Sequence, residues 1–283
     1  MLRSYLTASL VSFSSLGAWA QAPALPADFC RTECFYRLTY RPDSTVETTR
    51  TDELRLQIGR KLSRCESRNA VYGDSVLEVE INRMMKAAER NGEATMDLSG
   101  TDFATRRPSM TAVIYKVPSA RQVAVYERVG EVFYTYQEPA TLLTWTTTPD
   151  KATVAGYACQ RATTTLGGRI WEAWFTREVP VSEGPYKFYG LPGLIVKVSD
   201  TRNSYRFELV RLRQLTAPAA IAPPQAAKKT SRQKFRQAKV NYDAQEMMQA
   251  RGDAQSSSPG EEADAQRREQ AAAKERNNPL ELQ

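Results

Sequence analysis

The sequence predicts a mainly β domain, a curved antiparallel sheet or half-open barrel carrying one or two helices, followed by a flexible C-terminal tail. Three observations lead there. Apolar residues between Asp28 and Leu215 recur mostly with period two, in short runs separated by turn residues. One stretch, Val71 to Asn91, breaks that rhythm with helical spacing. Beyond Leu215 the composition shifts to Ala, Gln, Pro, Lys, Arg, Glu and Ser, which is poor in core-forming residues.

The elements follow in order. Phe35, Tyr36, Leu38 and Tyr40 mark a strand that Pro42-Asp43 ends. Thr51 to Ile58 is a second strand, with Leu54, Leu56 and Ile58 on one face. Val71 to Asn91 is a helix, with Asp74 or Ser75 as its cap and Gly92 as its stop, and it is the expected cover for one face of the sheet. Arg121 to Arg128 and Glu131 to Gln137 flank Gly130 as a hairpin. Leu142 to Thr147 and Lys151 to Thr165 flank Pro149-Asp150. Thr163 to Thr176 is a hairpin turned at Gly167-Gly168, where two glycines supply positive φ. Leu194 to Val198 and Tyr205 to Leu212 form the last pair, joined by the turn Asp200 to Ser204. Trp171, Ala173 and Phe175 oppose Ile170 and Trp174 on one strand, so the sheet is expected to be covered on both faces.

The N-terminus has the three-part layout of a secretory signal peptide: Arg3, an apolar stretch from Tyr5 to Leu16, and Ala18-Trp19-Ala20 as a small-x-small cleavage site. Residues 1–20 are therefore expected to be removed, 21–215 to form one domain, and 216–283 to form a low-complexity tail, disordered or marginally helical. The apolar run is too short to span a bilayer and no later stretch is apolar enough, so the chain is expected in the periplasm or outer envelope without a transmembrane segment. In that oxidising compartment an even cysteine count predicts two disulfides among Cys30, Cys34, Cys65 and Cys159, with three connectivities open.

The chain has no histidine. That excludes Ser-His-Asp and Cys-His catalysis and the His-Glu-x-x-His zinc motif. No catalytic residue, cofactor or metal is expected. A net charge of +7 is spread rather than blocked, so nucleic acid is not an expected partner.

One local sequence stands apart, Gly184-Pro185-Tyr186-Lys187-Phe188-Tyr189-Gly190-Leu191-Pro192-Gly193-Leu194-Ile195. Leu191-Pro192-Gly193-Leu194 fits a type II turn that feeds a strand. Tyr186 and Phe188 are expected to pack over the sheet edge. Trp171, Trp174, Tyr186 and Phe188, with Gly190, Leu191, Pro192, Gly193, Leu194 and Ile195, are the candidate ligand or partner contacts.

The run Gly190 to Ile195 resembles the signature of the GLPGLI family of exported Bacteroidetes proteins. The resemblance extends to Gly156 to Ala162, Gly168 to Thr176, Pro180 and Gly184-Pro185, to Leu56 to Gly59 with Ser63, Ser67 and Asp74-Ser75, and to the ending Asn278 to Leu282. Cys65 stands where the family has an aromatic, which adds a disulfide candidate of this chain's own. The family has no known function and no agreed active site. It implies export, a gene neighbourhood shared with outer-membrane TonB-dependent receptors, and an order of strands and turns similar to that of periplasmic lipoprotein carriers. The expected function is a non-enzymatic envelope binding or accessory protein for a hydrophobic or peptide ligand or for such a receptor. The alternatives are a protein-interaction module acting through its tail and a histidine-free carboxylate hydrolase.

In the tail, Pro218 to Gln225 reads as an extended linker, Lys228 to Lys239 as a basic surface for lipid headgroups or an acidic partner, and Gln266 to Arg276 as a marginal helix.

Overall fold

The computed structural model describes residues 25, 27–92, 95–96, 98, 101–102, 106, 108–138, 143–224, 226–255 and 277–282. The expected signal peptide and the expected helix Gln266 to Arg276 lie outside them.

Twelve strands form one open sheet. They are β1 (Asp28–Tyr40), β2 (Arg50–Ile58), β3 (Ser63–Ser67), β4 (Val113–Val117), β5 (Gln122–Val129), β6 (Val132–Glu138), β7 (Thr146–Val154), β8 (Tyr157–Leu166), β9 (Arg169–Thr176), β10 (Leu194–Asp200), β11 (Tyr205–Ile221) and β12 (Lys228–Lys229). The spatial order is β12-β6-β5-β4-β3-β2-β1-β11-β10-β9-β8-β7. The first strand is thus central. One wing grows from it through β2 to β6, and the other returns from the edge strand β7 to β11. Every pairing is antiparallel except that of β12 with β6.

The turns fall at their glycines, with one correction: β7 runs through Pro149-Asp150, expected to separate two runs, as an irregularity in the pairing with β8, and the chain turns instead at Ala155-Gly156, at φ +51° and +84°. Leu166 pairs with Arg169 across Gly167 and Gly168, at φ +58° and +77°, the two left-handed positions of a tight hairpin. On β1, β2 and β9 the predicted alternation holds, and β1 also begins seven residues before Phe35. β3 and β4 were not foreseen. They are five residues each, and both sequences put charge on buried positions, so the period of two is hidden.

One inward row crosses six strands: Cys34, Leu56, Cys65, Ile114, Val125 and Tyr136 are successive cross-strand partners. All belong to the main core, with Trp171, Phe175, Phe188 and Phe207 from the other wing and its loop. A smaller cluster on the opposite face holds Cys30, Leu62, Tyr115, Tyr126 and Ile221. The second face is thus covered around β1, β4 and β5 but not on β9, where the outward Ile170 is 56% exposed and Trp174 half-buried, contrary to the expectation drawn from that strand.

Helix α1 (Arg68–Asn91) begins earlier than expected, because Ser67 Oγ accepts from Ala70 N at 3.0 Å and acts as the cap in place of Asp74 or Ser75. It ends at Gly92 in the left-handed conformation, as foreseen. Its role differs from the expectation. None of its described side chains is buried, and Val79 and Met85 are more than half exposed, so it projects from β2 and β3 rather than covering a face.

The region after Leu215 is partly built into the fold. Strand β11 continues through the expected linker to Ile221, and Ile221 is fully buried opposite Asp28. Helix α2 (Arg232–Gln255) lies on β5 and β6 through Phe235, which packs against Tyr134 and Tyr136 at ring distances of 6.0 and 5.1 Å. Tyr242 sits on Gly130, where a Cβ would meet its ring at 2.6 Å. The basic segment Lys228 to Lys239 is therefore divided between the edge strand and the packed start of α2.

Candidate functional site

The loop between β9 and β10, residues 177–193, folds into the concavity between the wings. Tyr186, Lys187, Phe188 and Tyr189 are all buried, and Phe188 has no exposure. Its ring lies 4.9 Å edge-on from Trp171, 6.0 Å from Phe207, 6.2 Å from Trp145 and 6.3 Å from Tyr186. The aromatic group expected over the sheet edge is instead the centre of the core, because burying Phe188 removes more apolar area from water than any edge position allows.

Charge complementarity holds this plug. The sheet offers two buried charges on the inward face, Lys116 on β4 and Glu138 on β6, and the loop supplies Glu183 and Lys187. Lys116 Nζ lies 2.7 Å from Glu183 Oε2 and donates to the carbonyls of Gly184 and Phe188 at 2.6 and 3.2 Å. Lys187 Nζ donates to Glu138 and to Glu281 at 2.8 and 2.6 Å. Tyr36 adds a buried hydrogen bond from its hydroxyl to the Ile195 carbonyl at 2.8 Å. Each buried charge meets an opposite charge, the condition under which burial is tolerated.

The Gly190–Ile195 motif is a backbone device. Gly193 has φ +151°, and a Cβ there would lie 2.0 Å from the Thr176 carbonyl oxygen. The predicted type II turn is not formed. Leu194 N donates to Val179 O at 3.1 Å rather than back to Leu191, while Gly193 N donates to Leu191 O at 2.8 Å, a three-residue turn. Leu191, Leu194 and Ile195 are buried, whereas Gly190 and Pro192 face solvent. Trp174 is half-buried against the core and Trp171 is fully buried. Of the ten predicted contact residues, Trp171 and Tyr186 touch the Phe188 ring, Trp174 is half-buried, and only Gly190 and Pro192 are exposed.

The four cysteines are free and buried, which corrects the disulfide expectation. Cys30 and Cys34 belong to opposite faces of β1, across a strand irregularity between Cys30 and Thr32. Cys34 and Cys65 share a face but Leu56 on β2 lies between them, a separation of about 9–10 Å at ordinary strand spacing, beyond disulfide reach. Burial pushes the thiol of Cys34 up to about 12 and that of Cys65 to about 11, so neither is a nucleophile at neutral pH.

The concave face is not wholly filled. Between α2 and strands β4–β6 lies an open cleft of about 370 Å³. Ile114, Val125, Tyr136 and Phe235 give it an apolar lining, and Lys187, Arg232, Arg236, Lys239, Glu127 and Glu281 stand at its walls. Lys239 pairs with Glu127, and Arg232 with Glu281. A second depression of about 490 Å³ is lined by α2 residues alone and encloses nothing.

The last described residues, 277–282, cross the same region, and sequence reasoning missed the groove they fill. Arg169 is its organising group. Its Nη1 donates to Asp200 at 2.9 Å and its guanidinium lies 5.0 Å from the Tyr205 ring centroid. Its Nη2 donates to Asn278 Oδ1 at 2.5 Å and to the Pro279 carbonyl at 2.7 Å. Asn278 Nδ2 donates to the Arg41 carbonyl at 2.7 Å, and the Tyr205 hydroxyl donates to the Asn278 carbonyl at 2.6 Å. Glu281 meets Lys187, Arg232 and the Tyr186 hydroxyl. Burial would raise the Glu281 carboxyl, but the Lys187 ammonium and these hydrogen bonds hold it below its ordinary 4.5. The available signal was Arg169 directly after Gly167-Gly168, a charge placed where the inward row of Trp171, Ala173 and Phe175 begins.

The family model "Protein of unknown function (Porph_ging)", that of the GLPGLI family of Bacteroidetes proteins, matches residues 167–197, a partial match that spans the turn, β9, the plug loop and the start of β10. No curated protein matches the chain. Among solved structures, two crystal forms of PNGF-II are similar in fold. In space group C2 the TM-score is 0.51, and in P21 it is 0.50, each at 10% identity over 75% of this chain. The chain spans about a third of the length of those proteins, 33% and 34%. At that identity the likeness concerns the fold alone.

Proposed function

We propose that the chain is a non-enzymatic envelope protein that binds an apolar or peptide ligand in the cleft between α2 and β4–β6. The observation that carries this reading is the cleft itself. It is an opening on the inward face beside the plug loop, and it joins an apolar floor of Ile114, Val125 and Tyr136 to charged walls. The plug limits the ligand to this half, because Phe188 and its aromatic neighbours fill the other. Its lid, α2, is attached chiefly by one buried aromatic and by ion pairs, which suits a cover that yields to a ligand. The signal peptide expected over residues 1–20 supports a periplasmic or outer-envelope setting for that role.

A carboxylate hydrolase has less support. Glu138 and Glu281 both converge on Lys187 and Arg232, so each carboxylate is committed to cations rather than to an acid–base pair with divergent environments.

A second reading, an accessory contact with an outer-membrane TonB-dependent receptor, draws on α1. That helix carries Ile81 and Met85 exposed on a projecting element. Native mass spectrometry of the full chain isolated from its own envelope fraction separates the two. A lipid or peptide that co-purifies with wild type, and is absent when Ile114→Trp fills the cleft, supports the cleft reading. Recovery with no small molecule at any concentration, together with a receptor lost on Ile81→Glu/Met85→Glu substitution, replaces it with the accessory reading.

A further inference from the structure

The groove that holds residues 277–282 has more recognition chemistry than the anchoring of a chain end requires. Arg169 is buried and its orientation is set beforehand by Asp200 and by the face of Tyr205. It then reads two adjacent groups of the segment, the Asn278 amide oxygen and the Pro279 carbonyl. The other end of the Asn278 amide is read by the Arg41 carbonyl, so an oxygen acceptor and an N–H donor are both specified at that position. An aspartate would lose the donor and a leucine both groups. Proline has no N–H, and the groove reads only its carbonyl.

Three residues further on, a carboxylate is specified by Lys187 and by the hydroxyl of Tyr186. Leu282 N donates to the Gly167 carbonyl at 2.7 Å, a strand-like contact. Gly167 is itself part of the groove: a Cβ there would meet Glu281 Cγ at 2.6 Å. Asn277 extends the reading at the other end, accepting from Ser44 N at 2.8 Å and donating to Asp43 at 2.7 Å. The contacts thus come from five separate parts of the fold: the turn after β1, the β8–β9 hairpin, the plug loop, the start of β11 through Tyr205 and the start of α2 through Arg232.

We propose that this groove is a peptide-binding site for an extended Asn-Pro-Leu-Glu segment, which the chain's own residues 277–282 occupy. The specificity lies in the domain and not in the covalent connection, so a free peptide of the same chemistry binds when the resident segment is displaced. In the intact chain the resident segment competes at an effective concentration of about millimolar, which masks the site. The groove adjoins the cleft and shares Lys187 and Glu281 with it, but the proposal does not rest on which ligand the cleft takes.

The test uses the full chain with a protease site inserted between residues 256 and 276, and a labelled Asn-Asn-Pro-Leu-Glu-Leu peptide. After cleavage the C-terminal fragment is expected to stay with the domain on gel filtration and to be exchanged by the labelled peptide in a saturable way. The uncleaved chain should bind it at least about a hundredfold more weakly, because the tethered segment competes. A peptide with alanine in place of the asparagine directly before proline, or with glutamine for glutamate, should lose at least about tenfold, since each removes paired groups in a buried site. Tyr205→Phe and Tyr186→Phe in the domain should each weaken the wild-type peptide. A full-chain Asn278→Ala/Glu281→Ala variant, checked for fold by near-ultraviolet circular dichroism, should bind the peptide without cleavage. The proposal is overturned if the cleaved chain binds no peptide up to millimolar concentration, or binds a scrambled hexapeptide equally well. If the double variant does not fold, the cleaved wild-type chain decides alone.

Discussion

Lys116 and Glu183 meet at 2.7 Å with side chains 0% and 5% exposed, one on the inward face of β4 and the other in the loop after β9. The pair joins the two wings of the sheet through the loop, and the same ammonium carries two loop carbonyls. Lys116→Met leaves Glu183 as an uncompensated buried charge and should cost about 3–5 kcal/mol, whereas Lys116→Met/Glu183→Leu should recover part of that loss. Urea unfolding of the two variants and the wild type measures both. Equal losses would mean that the carbonyl contacts, not the ion pair, hold the loop.

Gly193 and Gly156 test whether the motif is a backbone requirement. Both have positive φ, but a Cβ at 193 meets the Thr176 carbonyl, while at 156 nothing lies within 4 Å. Gly156→Ala should cost about 1 kcal/mol, from left-handed strain alone. Gly193→Ala should cost about 3 kcal/mol or more, because strain and overlap with fixed backbone add. Thermal unfolding of the two variants gives the comparison.

The thiols supply a chemical readout. All four cysteines are buried, and Cys34 and Cys65 are pushed up to about 12 and 11. Native protein at pH 8 should react with a maleimide or disulfide reagent at none of them on the minutes scale, and denatured protein should react at all four without prior reduction. Mass spectrometry after alkylation counts the sites, and a deficit of two would report a disulfide.

Acid should release the end of the chain before it unfolds the sheet. Glu281 is held below its ordinary 4.5 by Lys187 and its hydrogen bonds, against the opposing effect of burial. A carboxyl with a depressed folded value contributes stability that is full above the unfolded value and is lost as pH falls through the folded one. Protection of residues 277–282 from hydrogen exchange, corrected for the intrinsic pH dependence, should therefore be steady above about pH 4.5 and should decline below it. Glu281→Gln should show weak protection throughout and no such decline.

Phe235 decides whether α2 is a separable lid. Phe235→Ala should abolish exchange protection over residues 232–245 while strands β1 to β11 keep theirs. A helix with so polar a surface is marginal once its buried side is lost. Loss of protection across β5 and β6 as well would make α2 part of the cooperative core.

Much of the sheet was legible because its signals are local. Alternation in β1, β2 and β9, the Gly167-Gly168 turn and the stop at Gly92 each depend on residues within a few positions of one another. The sequence also removed histidine chemistry from consideration. Strands β3 and β4 were hidden because Glu66 and Lys116 are buried charges whose partners lie elsewhere: Glu66 is held by Arg55 on β2 and Arg64 on its own strand, Lys116 by the distant loop.

By itself, then, the sequence determined the class of fold, the hairpins turned at Gly130 and at Gly167-Gly168 and the helix end, since backbone sterics and period are properties of short stretches, whereas the constraint on Gly193 comes from the Thr176 carbonyl of the preceding strand. Tertiary structure alone decided that Phe188 fills the concavity, that Cys34 and Cys65 stand apart, and that Asn278 and Glu281 return to Arg169 and Lys187. Those outcomes depend on which face of a strand meets which loop, and no local pattern carries that information. Buried charges and amides settle only where a distant partner satisfies them.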